Sequence, residues 1–146
     1  RQHPPIRLHS LRESAIIEPA ISGTSYIILA KYTIFDIMNK WTVEVLNETV
    51  EAELEALPPS LRAKLAHIVE LITTFGLENV HEPYIKHIEG KIWEMRMKGK
   101  DNIGRALYVT AKGKRVVILH AFIKKTQKTP NKAKKLAQQR LKELKE

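Results

Sequence analysis

The chain contains no cysteine, and one long stretch of it contains no acidic residue. The absence of cysteine excludes disulfides and thiolate metal sites, and it suits the reducing cytoplasm, where we expect the protein to reside. No apolar run reaches the roughly 18 residues that a membrane-spanning helix needs, so the sequence predicts no spanning segment. Between Asn102 and Lys142 there is no Asp or Glu, whereas Lys and Arg together number 12.

The positive charge of the chain is therefore regional. The formal net charge of the whole chain is +9 at pH 7, which leaves −3 for the residues outside the acid-free window. Clustered positive charge favours a polyanionic partner. We expect nucleic acid first and an anionic membrane surface only second, and we predict no membrane partner.

The composition changes near Met38. Residues 1–37 carry no sustained helical or strand period, whereas "MNKWTVEV" reads like a natural start. We therefore predict that residues 1–37 are an upstream extension outside the core fold and that residues 38–146 form a single domain. The alternative is a genuine additional strand at 25–35, where the β-propensity is high.

The hydrophobic pattern after Met38 predicts an α+β fold. "WTVEVL" (41–46) alternates like a strand, and two helices follow, separated by "PPS" (58–60). Ser60 is the expected N-cap of the second helix, and Gly76 its expected end. Three strands are predicted at 91–98, 105–111 and 115–123, and then a C-terminal helix with Thr129 as N-cap and Pro130 in its first position. The order β-α-α-β-β-β-α predicts a small, mostly antiparallel sheet with an N-terminal helical hairpin and a C-terminal helix.

Three segments carry a resemblance to a known family. "GKIWEMRMK", "GRALYV" and "VVILHAFIKKTQKTP" resemble the phage-derived, HigB-like branch of the RelE/ParE toxin superfamily, over about residues 40–142. The run HxFxKKTxKTP at 120–130 is the specific signature, and the other two segments support it. In "PNKAKKLAQQR" the chain departs from its relatives, which often carry Glu-Ile after the proline; here the helix is more basic.

The resemblance implies a RelE-like fold and the toxin of a type II toxin–antitoxin module. Most characterised RelE and HigB relatives cut messenger RNA on the ribosome, whereas ParE-like relatives poison DNA gyrase. The implied partners are a cognate helix-turn-helix antitoxin, the ribosome and its mRNA, with operator DNA contacted only through the antitoxin. A non-catalytic, basic nucleic-acid-binding module is a further alternative.

Metal-free RNA cleavage fits the basic residues of the three strands. The ribose 2′-OH attacks the adjacent phosphorus, so the site must orient the backbone, stabilise negative charge and move two protons. Guanidinium and ammonium groups bind phosphate, and crowded ammonium groups lower one another's pKa. The candidate catalytic residues are Arg96, Arg105, His120, Lys124 and Lys125.

A second set of residues is expected to hold the RNA. Phe122 is a candidate for stacking on an unpaired base, and the lysines are candidates for sequence-independent contacts to phosphate. The expected RNA-binding residues are Lys91, Phe122, Lys128, Lys132, Lys134 and Lys135. We predict no metal ligand and no cofactor, because the basic half has no acids and His81 and His87 lack the spacing of metal ligands.

Each of these residues also has a structural interpretation. As an alternative, His120 is a hydrogen-bonded histidine of the core, and Phe122 is a core residue. Arg96 is able to pair with Glu94 or Asp101, and the lysines at 124, 125 and 128 to form a solvated turn. Three-dimensional contacts are needed to separate these interpretations.

Overall fold

The computed structural model describes residues 6–7, 40–125 and 128–144. The strands are β1 (Ile6–Arg7), β2 (Thr42–Val45), β3 (Ile85–Glu89), β4 (Ile92–Lys98), β5 (Ile103–Ala111) and β6 (Arg115–Lys124). The α-helices are α1 (Glu48–Glu55), α2 (Pro59–Phe75) and α3 (Asn131–Leu141), and a 3-10 helix covers Leu77–Asn79. None of the described helices is long and apolar enough to cross a membrane.

The described strands form one sheet in the order β1-β2-β6-β5-β4-β3. β2 runs parallel to β6, and all other neighbours are antiparallel. The predicted α+β class, the helical hairpin, the three consecutive strands and the C-terminal helix are thereby confirmed.

Within residues 38–146 the sequence interpretation missed one strand. β3, with the sequence IKHIE, pairs with β4 at the edge of the sheet and buries only Ile85 among its five residues. Edge strands are often polar, because one side of their backbone has no neighbouring strand and charged residues there oppose further pairing. The apolar alternation that identified the other strands is therefore too weak here to be recognised.

Two helix starts also differ from the prediction. α2 begins at Pro59, with Pro58 in the N-cap position, so Ser60 lies inside the first turn instead of capping it. α3 begins at Asn131, and Pro130 takes the N-cap position predicted for Thr129. Proline fits the start of a helix because the first turn has no acceptor for its missing N–H. The predicted end of α2 at Gly76 is confirmed by a φ of 92°.

Helix α2 covers one face of the sheet. Its buried residues are Leu61, Leu65, Ile68, Val69, Ile72 and Thr73. A Cβ on Gly104 would lie 3.0 Å from Leu61 and 3.1 Å from Met97, so glycine permits the close approach of α2 to β4 and β5. Helix α3 packs against β5 and β6 and buries Ala133 and Ala137.

The two predictions for the N-terminal segment remain predictions. Of residues 1–37 the structure describes only Ile6 and Arg7, whose backbone pairs with Val45 and Glu44 of β2. The alternative strand at 25–35 lies outside the described residues.

Candidate functional site

Three neighbouring strands align polar residues on one face of the sheet. Residues directly opposite each other on β4, β5 and β6 form cross-strand rows, and every second row points to the same face. The three consecutive rows on this face are Glu94–Leu107–His120, Arg96–Arg105–Phe122 and Lys98–Ile103–Lys124. Four of the five candidate catalytic residues therefore lie on one face, within about 13 Å of backbone along β6.

A buried carboxylate, Glu94, lies at the centre of this group. It is 2% exposed. Arg96 Nε lies 3.4 Å from its Oε2, and Arg105 Nε lies 3.4 Å from its Oε1. The Thr129 hydroxyl donates a hydrogen bond of 2.7 Å to Oε1. Glu94 thus orients two guanidinium groups. Arg96 Nη1 also lies 3.7 Å from Oε1 of the exposed Glu82, so two carboxylates face the two arginines, and the excess positive charge of the cluster comes from Lys124.

The guanidinium of Arg105 is nearly buried. The residue is 3% exposed, and Nη1 donates to the backbone oxygen of Gly104 at 2.9 Å. Burial lowers the pKa of Arg105, the nearby carboxylate of Glu94 opposes that effect, and Arg96 lowers the pKa further. Fixed, poorly hydrated cations of this kind interact strongly with phosphate.

Lys124 is buried beside the arginines. It is 4% exposed. Burial and then the charge of Arg105 lower its pKa below the ordinary 10.5, while Glu94 opposes the shift. The sequence interpretation attributed such a shift to crowded lysines, but burial and the two arginines outrank Lys86, the last of the causes. Lys125, the next residue along the chain, is exposed.

His120 is held by two helices. Its Nδ1 lies 2.9 Å from Glu53 Oε1 of α1. Arg140 of α3 donates to both oxygens of Glu53, at 2.9 and 2.8 Å, and Nη1 donates to the backbone oxygen of Leu119. The Phe122 ring stacks on the imidazole, with 4.9 Å between ring centroids and 25° between ring planes.

The carboxylate of Glu53 stays ionised in this arrangement. Burial alone would raise its pKa, but hydrogen bonds from Arg140, from His120 and from the backbone N–H of Ala121 lower it below 4.5. An ionised carboxylate only accepts hydrogen bonds, so Nδ1 of His120 carries the hydrogen. Nε2 of the neutral imidazole is then the nitrogen with a lone pair, able to accept a proton.

The expected RNA-binding lysines do not form one group. Lys91 is exposed in the β3–β4 turn, about 17 Å of strand away from Arg96. Lys128, Lys132 and Lys135 are exposed before and within the first turns of α3. Lys134 points elsewhere, because its Nζ lies 3.9 Å from Glu89 Oε1 of β3 and its side chain is mostly buried.

Four partners of these residues escaped the sequence interpretation. The sequence indicates Glu94 only as a surface partner of Arg96 and Glu53 only as part of the charged face of α1. It indicates Thr129 only as a helix cap, and Arg140 only as one of the cations of the acid-free window. The alternation of Glu94 with Arg96 is the one local signal in the sequence, since the contacts of Glu53 with His120 and Arg140, and of Thr129 with Glu94, join residues 35 or more positions apart.

Two cavities open on the described structure. The smaller, about 490 Å³, is lined by Lys64, His67, Ile68, Pro83, Tyr84, Arg96, Lys98, Ile103 and Arg105. The larger, about 700 Å³, is lined by Trp41, Leu77, Glu78, Val80, His81, Glu82, Ile85, Lys86, His87, Trp93, Tyr108 and Thr110. Within residues 40–125 and 128–144, no three His, Asp or Glu side chains are grouped closely enough to hold a metal ion.

A protein-family model matches most of the folded part of the chain. The family model described as "Phage derived protein Gp49-like (DUF891)" matches residues 52–142, from α1 through α3. None of the curated proteins compared with the chain matches it. The matched range is more than half of the chain and includes all three rows, together with Glu53, Thr129 and Arg140. The chain therefore belongs to the Gp49-like phage-derived family, which is part of the RelE/HigB-type toxins.

Proposed function

We propose that this chain is the HigB-like toxin of a type II toxin–antitoxin module and that it cleaves messenger RNA on the ribosome without a metal ion. The observation that carries the proposal is the cluster of Arg96, Arg105 and Lys124 around the buried Glu94, which borders a cavity without a carboxylate among its described lining residues. Such a site has a fixed excess of positive charge in a poorly hydrated place, which suits a phosphodiester.

The reaction exchanges one phosphorus–oxygen bond for another. The 2′-oxygen of a ribose attacks the adjacent phosphorus and loses its proton to a base, while the bond to the 5′-oxygen breaks and that oxygen takes up a proton. The products are a 2′,3′-cyclic phosphate and a 5′-hydroxyl. Arg96 and Arg105 stabilise the additional negative charge of the transition state.

The two proton transfers are assigned to His120 and Lys124. His120 Nε2 accepts the proton of the 2′-OH, because Glu53 fixes the hydrogen on Nδ1. Lys124 donates a proton to the leaving oxygen, since its lowered pKa makes the ammonium group a better acid than an exposed lysine. Lys125, exposed beside it, adds positive charge for the incoming phosphate.

A second function is favoured by the burial of two of these residues. Arg105 is bound to Gly104 and Glu94, and His120 is held by Glu53 and stacked on Phe122. The same contacts would serve a basic module that binds RNA without cutting it, in which these side chains only stabilise the fold.

The test is cleavage of a defined mRNA on programmed ribosomes, with the chemical nature of the new ends determined. The proposal predicts 2′,3′-cyclic phosphate and 5′-hydroxyl ends, and no cut where the nucleotide before the bond is 2′-deoxy. Binding without new ends would favour the non-catalytic module. Inhibition of gyrase supercoiling without RNA cleavage would favour the gyrase inhibitor.

The family implies an antitoxin. We propose that it is a helix-turn-helix protein that silences the toxin by covering or displacing the cationic face, and that the toxin contacts operator DNA only through it. Co-purification at moderate salt, followed by the cleavage assay on the complex, tests this. A toxin that stays fully active when saturated with antitoxin would contradict it.

A further inference from the structure

The smaller cavity extends the cationic site toward helix α2. Arg96 and Arg105 belong to the proposed catalytic cluster and also line this cavity. Lys64, His67 and Ile68 line it from α2, where a spacing of three and four residues brings them to one side of the helix. The sequence predicts RNA contacts in the β3–β4 turn, on β6, and before and within α3, and it predicts no function for this side of α2.

Four cations and two aromatic rings meet in this cavity. The cations are Lys64, Arg96, Lys98 and Arg105, and the rings are those of His67 and Tyr84. The ring centroids lie 5.8 Å apart with planes at 68°, and Tyr84 is 37% exposed. Proteins that hold single-stranded RNA combine these two elements, because the cations contact phosphates while the rings stack on bases.

The position of Tyr84 is tied to that of Arg96. The backbone oxygen of Tyr84 accepts a hydrogen bond of 2.8 Å from the backbone N–H of Arg96, and its own N–H donates to His81. A base stacked on Tyr84 would therefore be held at a fixed offset from the guanidinium of Arg96. The volume of about 490 Å³ falls in the range of pockets that hold a nucleotide-sized ligand.

From this arrangement we infer that the cavity between α2 and β4 is a nucleotide-binding subsite for single-stranded RNA. Tyr84 and His67 form the platform for one unpaired base, and Lys64 and Lys98 contact the flanking phosphates. The inference rests on the proposed function, because it makes the subsite the neighbour of the scissile phosphate at Arg96 and Arg105. The subsite fixes which nucleotide is held next to the cut bond.

The first test measures binding alone, by the fluorescence anisotropy of a labelled 2′-O-methyl heptaribonucleotide, which is not cleavable. Tyr84→Ala is expected to raise the Kd about tenfold, the effect of losing one base stack. Tyr84→Phe keeps the ring and is expected to stay within about twofold of the wild type. Phe75→Ala is the matched control, since Phe75 is an exposed aromatic residue at the end of α2, 61% exposed and outside the lining of the cavity.

A double variant of two lysines keeps the test decisive if Tyr84→Ala fails to fold. Lys64→Ala with Lys98→Ala is expected to weaken binding and to lower the slope of log K against log salt by about 1.4, since each lost contact of a single strand to a cation contributes about 0.7. An unchanged Kd in Tyr84→Ala, or an equal loss in Phe75→Ala, would overturn the inference. An unchanged salt slope in the lysine pair would do the same.

The cleavage assay on programmed ribosomes separates this inference from the proposed function. If the subsite exists and the protein is a nuclease, Tyr84→Ala changes the distribution of cut positions and raises KM more than it lowers kcat. If the wild type does not cut, the proposed function fails while the binding assay still decides the subsite. A wild-type pattern of cuts in Tyr84→Ala would contradict the subsite and leave the nuclease proposal intact.

Discussion

The two cavities differ more in chemistry than in size. The larger one has two tryptophans in its walls, and Glu78 and Glu82 among its lining residues. The smaller one is lined by four cations and no carboxylate among the described residues, and Glu94 lies outside its lining. Volume alone would make the larger cavity the default ligand site. The comparison shows that for a phosphodiester the charge of the lining decides, because carboxylates repel phosphate and desolvated guanidinium groups attract it.

The polar groups in the two regions are also satisfied differently. In the cationic region Glu94 and Arg105 are buried and are held by an ion pair and by hydrogen bonds, although Arg105 Nε has no hydrogen-bond partner of its own and contacts Glu94 only as an ion pair. In the larger cavity the hydroxyl of Tyr108 is buried without a hydrogen-bond partner, and burial raises its pKa. Substitutions in the first region should therefore change catalysis and RNA binding, whereas those in the second should change stability alone.

The largest effect is expected for Lys124→Ala combined with Lys125→Ala. Cleavage on programmed ribosomes should be lost, because both the stabilising charge and the proton donor are removed. Trp93→Phe in the larger cavity is the control and should cleave within about twofold of the wild type. Equal losses in both variants would remove the functional distinction between the cationic cluster and the larger cavity.

Glu53→Gln tests a residue outside the lining of both cavities. Breaking its contacts with Arg140 and His120 should lower the free energy of unfolding by about 1–3 kcal/mol near neutral pH, measured by urea denaturation. The pKa of Glu53 is lower in the folded protein than its ordinary 4.5. The stabilisation is therefore complete above about pH 4.5 and is lost as the pH falls through the folded-state pKa. A difference between wild type and variant that stays constant down to pH 3 would contradict this account.

Lys132→Ala with Lys135→Ala should affect binding more weakly. Both lysines are exposed at the start of α3. Their loss should weaken the binding of all RNA sequences about equally and lower the slope of log K against log salt by about 1.4. Lys134→Ala is the matched control, because its ammonium group lies 3.9 Å from Glu89 Oε1 and is engaged by that carboxylate. If Lys134→Ala weakens binding as much as the pair does, the RNA path along α3 is wrong.

The smallest effect is expected for Tyr108→Phe. Removing a buried hydroxyl that has no partner should leave the thermal midpoint unchanged or raise it slightly, and RNA cleavage should not change. A clear loss of stability would mean that the hydroxyl has a partner in solution, and a loss of cleavage would assign the larger cavity to the function.

The fold was largely readable from the sequence, but the connections within the site were not. The alternation of apolar and polar residues predicts β4. Pro58 and Pro59 mark the break between the two helices of the hairpin, and Gly76 marks the end of the second helix. β3 was missed because a polar edge strand lacks the alternation. The N-cap of α2 lies two residues before the predicted Ser60, and that of α3 one residue after the predicted Thr129, and both differences reflect the tolerance of helix N-termini for proline.

The candidate residues came from the resemblance and from strand periodicity. A period of two places His120, Phe122 and Lys124 on one face of β6, and the resemblance singled out their motif. The cross-strand register is not encoded in either pattern. The contacts of Glu94 with Arg105 and Thr129, and of Glu53 with His120, could not be read from the sequence because they depend on how strands and helices pack.

The central claim is that a guanidinium oriented by Glu94 acts in the chemical step of RNA cleavage. The most direct test is the single-turnover rate of Arg96→Ala on saturating programmed ribosomes, compared with that of the wild type. We predict a rate lower by about 10²–10³-fold with nearly unchanged affinity, the effect of losing one oriented donor to a transition state. A variant that cuts at the wild-type rate once saturated, and loses only affinity, would show that Arg96 binds RNA but takes no part in catalysis.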